Sequence, residues 1–324
     1  MSRIYEALQK AESERKPERR DEESRTPEPA PVVEMRSQTA VAEAEYAPVS
    51  APLAGNAIYA ESPVYAEPTL RGYDGEAFDL SKIVRHPWSP SLTQLPALLE
   101  RGPAVEQFRS LRSRIHELRD MNPLKSILIS SGMPQEGKSF IATNLALSLA
   151  RHKNSKVLLI DGDMRRYTLH QLLGCESHPG LADYLAGKAT AFEVMQRAEQ
   201  SVEADGTGKP LLPNLTFIAA GNGGDKAADL SGSQRFGDLI RLAAPHFDWI
   251  IVDSSPVLPV SDAVNLARWC DGVLLVARGG VTKFPVAQRA QSELKASNVL
   301  GFVLNAVQDA PQNGGYYGYD ASKQ

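Results

Sequence analysis

From about residue 97 the chain alternates short apolar runs with segments of helical spacing. The runs are SILISS (126–131), KVLLID (156–161), LTFIAAG (215–221), WIIVDSS (249–255), GVLLVARG (272–279) and VLGFVLNAV (299–307). Each is almost continuously hydrophobic, as parallel strands covered on both faces must be. Between them, KSFIATNLALSLARH, SQRFGDLIRLAAPHF, SDAVNLARWC and VAQRAQSELKAS carry apolar residues at helical intervals. Helical spacing also runs through ALLERGPAVEQFRSLRSRIHEL, ahead of the first strand. Regular strand–helix alternation predicts an α/β fold with a doubly wound, mostly parallel sheet over 97–310.

The flanks read differently. Residues 1–16 predict a short amphipathic helix, with Ile4, Leu8 and Ala11 on one stripe; a helix of that length is marginal alone and implies a partner. Residues 17–96 mix charged clusters with Pro- and Ala-rich stretches such as TPEPAPVVE, a composition that buries too little apolar surface to fold, so a disordered linker is expected. The stretch 201–214 reads as a surface loop and 311–324 as a flexible, Tyr-rich tail.

Composition narrows the function. With 324 residues and a net charge of −4, the chain has no strong basic field to gather nucleic acid. Its two cysteines, Cys175 and Cys270, lack metal-ligand spacing and suit a reducing compartment. No apolar run approaches the ~18 residues of a membrane span, and MSRIYEALQKAESERK has no signal core, so a cytoplasmic protein is expected.

The chemistry begins at Gly132-Met133-Pro134-Gln135-Glu136-Gly137-Lys138-Ser139, which follows the strand SILISS, opens a helix and fits the phosphate-loop pattern. Glycines let backbone N–H groups turn toward an anion, and the helix N-terminus adds a favourable dipole. Lys138 is expected to reach the β- and γ-phosphates of ATP, Ser139 to ligate Mg²⁺, and Phe140 to complete the nucleotide-binding run. Two more carboxylate sites end apolar strands: Asp161 and Asp163 after KVLLI, and Asp253 after WIIV. Ligands of open α/β sheets sit beyond such strand ends. A carboxylate there can hold Mg²⁺ or accept a proton from an attacking hydroxyl, and the sequence does not choose between Asp161 and Asp163 for the second task.

Together these residues resemble the bacterial tyrosine kinases of capsule and exopolysaccharide synthesis, over about residues 97–319. The most specific match is LLIDGDMRR, followed by LHQLLG and GLADYL; no HRD or DFG motif of other protein kinases is present. The resemblance implies that Asp161, Asp163 and Arg165 belong to the active site, that Asp253 serves the metal, and that Asn305 in GFVLNAV contacts adenine. It also implies that Glu106, Arg109 and Arg112 in EQFRSLR support ring-like self-assembly, and that Tyr316, Tyr317 and Tyr319 are phosphorylated in trans. A separate-chain kinase of this kind is expected at the inner membrane only through a partner, the membrane-embedded chain-length regulator. The sequence departs from the family at Gln135, where Gly is common, at Tyr167, where Pro is usual, and at GNGGDKAADLSGSQRF after LTFIAAG. Partner-switching ATPases of the MinD/ParA-like kind would share the fold, but their second lysine is missing from Ser131-Gly132-Met133-Pro134. A catalytically weak adaptor that binds ATP only to assemble is the third reading.

Overall fold

The computed structural model describes residues 79–152, 155–199, 212 and 214–307. The expected N-terminal helix (1–16), most of the linker, the 201–211 part of the surface loop, and the tail with Tyr316, Tyr317 and Tyr319 lie outside the described residues.

The described chain forms an eight-stranded sheet in the order β1-β4-β5-β3-β6-β2-β7-β8. In sequence these are β1 Arg85–His86, β2 Ser126–Ser131, β3 Val157–Asp161, β4 Met195–Ala198, β5 Leu215–Ile218, β6 Trp249–Asp253, β7 Gly272–Arg278 and β8 Val299–Asn305. Every neighbouring pair is parallel except β4 with β5. The six strands read from apolar runs are all present. The two extra ones are short: β1 spans two residues, and β4 reads MQRA, with no apolar run to signal it.

The continuous hydrophobicity of the central strands is explained by two separate apolar layers. Leu158 and Ile160 of β3 and Ile250 and Val252 of β6 pack with Phe236 and Leu266 on one face. Val157, Leu159 and Ile251 alternate to the other face, against Leu145 and Leu149 of helix Lys138–Ala150. That helix is buried over most of its length, which is why its apolar residues are not confined to one stripe.

Two boundaries differ from expectation. Residues 79–96, read as linker, are packed on the domain. Ile83 and Leu95 are buried, the Trp88 ring meets Phe217 edge-on with centroids 6.1 Å apart, and β1 pairs with β4. The apolar residues here are too sparse to form a period of their own, and they are satisfied by docking onto a sheet edge. The run beginning at ALLERG is also not one helix. A 3-10 turn at Pro96–Leu98 stops before Gly102, whose φ of 140° breaks the path, and helix Pro103–Met121 restarts with Pro103 in its first turn. Proline is favoured there because it lacks only an N–H that the helix would leave unpaired.

Candidate active site

The phosphate loop connects β2 to helix Lys138–Ala150 across residues 132–137. Gly137 takes φ 96°, the left-handed region that its missing Cβ permits. Gln135 also takes a positive φ, 65°, so the loop keeps its path at a position without glycine, at a cost of about 1–2 kcal/mol. Glu136 turns into the protein instead of toward the cleft. It is 4% exposed, accepts the Met133 N–H at 2.9 Å, and takes a hydrogen bond from the Thr282 hydroxyl. Its own carbonyl accepts Asn305 Nδ2 at 3.0 Å. The loop is therefore braced from β7's following turn and from the end of β8.

Beyond the strand ends, the loop and its carboxylates enclose a cleft of about 350 Å³, lined among others by Gln135, Lys138, Ser139, Asp163 and Arg165. Lys138 Nζ lies 2.8 Å from Asp163 Oδ2, 3.2 Å from Ser139 Oγ and 3.9 Å from Asp253 Oδ2. Asp161 and Asp253 are paired in register on β3 and β6, both fully buried. Asp161 is committed to the backbone: its oxygens accept the N–H groups of Asp163 and Leu169, each at 3.2 Å. Phe140 and Asn305 line a different, wider groove of about 650 Å³ between β8 and helix Pro103–Met121.

Electrostatics follow from burial. Desolvation, and then the Asp253 charge, lifts Asp161 well above the usual carboxylate range. Desolvation lifts Asp253 to about 6, held back mainly by Lys138. Burial opposes the Lys138 charge, but Asp253 and Asp163 outweigh it and raise its pKa. Because folding raises Asp253 from 3.8 to about 6, its stabilising contribution is complete below the lower value and lost as pH rises through the upper. The nucleotide-free domain is thus expected to melt at a lower temperature at about pH 7.5 than at about pH 5. Asp253→Asn should flatten that slope in scanning calorimetry; an unchanged slope would place the titration elsewhere.

The donor set fits Mg²⁺ bound with a nucleotide. Among the described residues no hydrogen bond of ordinary length and angle reaches either buried carboxylate oxygen of Asp253, although the Ser139 hydroxyl, the Ser254 N–H and the Lys138 ammonium lie beside them. Among the described residues no three carboxylate, His or Cys side chains form a cage for a metal by themselves. That suits Mg²⁺, which takes one or two carboxylates and completes its shell with water and substrate phosphates.

Other expected site residues are placed less simply. Arg165 is engaged by Asp262, with Nε 2.7 Å from Oδ2 and Nη2 3.3 Å from Oδ1. Nothing in the sequence marks Asp262 for the site, because SDAVNLA reads as an ordinary helix start. Glu106 and Arg109 form an ion pair with each other, while Arg112 turns inward and donates to the Ser148 carbonyl at 2.9 Å. Burial, and then Arg109, lowers the Arg112 pKa.

A doubly wound sheet whose glycine loop, lysine and strand-end carboxylates converge on one cleft defines a P-loop nucleotide-binding protein. No family model matches the chain. It is 32% identical over 216 residues to the tyrosine-protein kinase YwqD of Bacillus subtilis, covering 66% of this chain and 86% of that protein. It is 33% identical over 224 residues to the tyrosine-protein kinase wzc of Salmonella typhimurium, covering 67% of this chain and 29% of that protein. Among solved structures, the kinase domain of the Escherichia coli tyrosine kinase ETK matches 67% of this chain and 80% of its own, at 32% identity and a TM-score of 0.57. The chain belongs to the bacterial tyrosine-protein kinase family. It spans only 26% and 29% of the length of other relatives in that family, such as those from Acinetobacter johnsonii and Salmonella typhimurium.

Proposed function

We propose that this chain is an ATP-dependent protein-tyrosine kinase that phosphorylates the tail tyrosines Tyr316, Tyr317 and Tyr319 of a neighbouring copy, in the service of polysaccharide polymerisation and export. The observation that carries this reading is Lys138 at the mouth of the phosphate loop, poised between Asp163 and Asp253. Nucleotide phosphates draw the Lys138 ammonium from Asp163, and the freed Asp163 carboxylate faces the cleft where an acceptor hydroxyl would enter.

The phenolic oxygen attacks the γ-phosphorus, the bond to the β–γ bridging oxygen breaks, ADP leaves, and the phenolic proton passes to Asp163. Asp163 suits that role better than Asp161 because it lines the cleft and its Oδ2 is held by the Lys138 side chain, its Oδ1 accepting the Arg166 N–H at 3.1 Å, whereas both Asp161 oxygens are held by backbone N–H groups. Mg²⁺ would be held by Ser139 and Asp253, with Asp161 beside them, and would neutralise charge on the β- and γ-phosphates. Lys138 and Arg165 supply the remaining positive charge, and the Asn305 amide oxygen, left free by its Nδ2 bond to Glu136, can accept from the adenine amino group. Catalysis is then largely positioning and electrostatics.

No described helix is long and apolar enough to cross a membrane. Membrane association through a membrane-embedded chain-length regulator, and ring-like assembly through Glu106, Arg109 and Arg112, belong to the same proposal. The test is intact mass with peptide mapping after incubation with Mg·ATP, with and without a candidate activator. Phosphate on the tail is expected in the wild type and absent from a Tyr316/Tyr317/Tyr319→Phe variant. Hydrolysis of ATP with no phosphotyrosine, even with the activator, would favour a partner-switching ATPase.

A further inference from the structure

Arg165 follows β3 and Asp262 begins the helix Asp262–Ala267 after β6, so their ion pair joins the two chain segments that carry the site's carboxylates. The same segments are held at close range by backbone: Gly162 N–H donates to the Asp253 carbonyl at 2.9 Å, and a Cβ at Gly162 would come within 2.6 Å of that oxygen. The side-chain pair is therefore a second link between segments that the backbone already joins. It is also costly in itself, because the Asp262 side chain is 1% exposed while the Arg165 side chain it meets is 34% exposed. A buried carboxylate paired with a half-open partner contributes little net stability, and an apolar residue of similar volume would serve packing as well.

The geometry shows what the pair does accomplish. Asp262 grips the Nε and Nη2 edge of the guanidinium, and Nη1 has no part in either bond. An arginine held by two parallel bonds is fixed in plane as well as in position, which a single contact cannot achieve. Arg165 also lines the cleft that contains Lys138 and Asp163. Left alone, so exposed a side chain would sample many rotamers and lose entropy on each encounter with a charged substrate.

We infer that Asp262 is a positioning residue that locks Arg165 with its free edge toward the transferring phosphoryl group. This rests on the kinase reading above and assigns Asp262 no contact with substrate. Arg165 is a guanidinium prepared in advance, whose contribution falls on the transition state rather than on bound nucleotide.

The test compares affinity for Mg·ADP with affinity for Mg·ADP plus aluminium fluoride, a mimic of the transferring phosphoryl, in the full chain by calorimetry. Asp262→Asn keeps the shape of the side chain and removes its charge. It is expected to weaken the fluoride complex about tenfold while leaving ADP affinity within about twofold. Arg165→Gln should do the same or more, and the double variant should be no weaker than Arg165→Gln alone, because Asp262 acts only through Arg165. Losses that multiply in the double variant, or equal weakening of ADP and of the fluoride complex, would overturn the inference. If Asp262→Asn fails to fold, Arg165→Lys carries the test: it keeps the charge but cannot be gripped at two points. A wild-type fluoride complex in a folded Arg165→Lys protein would refute the positioning role. The binding readout is independent of acceptor chemistry, so absence of tail phosphorylation in the wild type would count against the kinase reading alone.

Discussion

Lys138→Ala is expected to reduce tail phosphorylation by about three orders of magnitude or more, read as intact mass after incubation with Mg·ATP. The size follows from what surrounds the ammonium. Its Nζ lies 2.8 Å from one carboxylate and 3.9 Å from another, and the Asp161 carboxyl shares the same enclosure. In the wild type the lysine is the cation set among these carboxylates. Without it, the nucleotide phosphates would meet these carboxylates with no cation between them. The same reasoning predicts a stability change. Removing one partner of a buried ion pair costs up to about 3–5 kcal/mol when the remaining charge cannot escape. Here it can escape at low pH, because burial already lifts Asp253 to about 6 and holds Asp161 well above its usual range. Lys138→Ala should therefore melt well below the wild type at about pH 8 and approach it at about pH 5. Full phosphorylation by a folded Lys138→Ala protein would refute the proposed chemistry.

How far the sequence anticipates this site depends on the kind of interaction. The phosphate loop is legible because anion binding by backbone needs a fixed glycine spacing, and β2, β3, β6, β7 and β8 are legible because burial on both faces leaves apolar runs. Asp161, Asp163 and Asp253 are legible from their place at the ends of those runs. The groups that hold the site in shape are not. Glu136 sits inside the loop motif, yet its task is to accept from Met133 and Thr282, and Thr282 is far away in sequence. Asp262 looks like an ordinary first-turn acid, and only the fold brings it to Arg165. The edge strand β4 and the segment 79–96 escape for a related reason. They are stabilised by contacts with an existing sheet, so they need no period of their own and leave none.

Gly137→Ala should lower nucleotide affinity by a factor on the order of 100 or more, and its cause is separable into two parts. The first is backbone conformation: φ is 96°, and a side chain there is strained by about 1–2 kcal/mol. The second is steric. A Cβ would fall 1.9 Å from Asn305 Nδ2, the atom that donates to the Glu136 carbonyl. Either the amide swings away and the loop loses its brace, or the loop rotates and its N–H groups no longer converge on one point. Gly187 separates the two effects, since its φ is 75° with nothing within 4 Å of the added atom. Gly187→Ala is expected to cost about 1–2 kcal/mol in stability and nothing in nucleotide binding. In Gly137→Ala combined with Asn305→Ala, the clash is relieved. Its melting temperature should recover above that of Gly137→Ala alone, while ADP affinity stays low because the brace is still missing. Wild-type ADP affinity in Gly137→Ala would mean that the loop does not bind phosphate through the path described here.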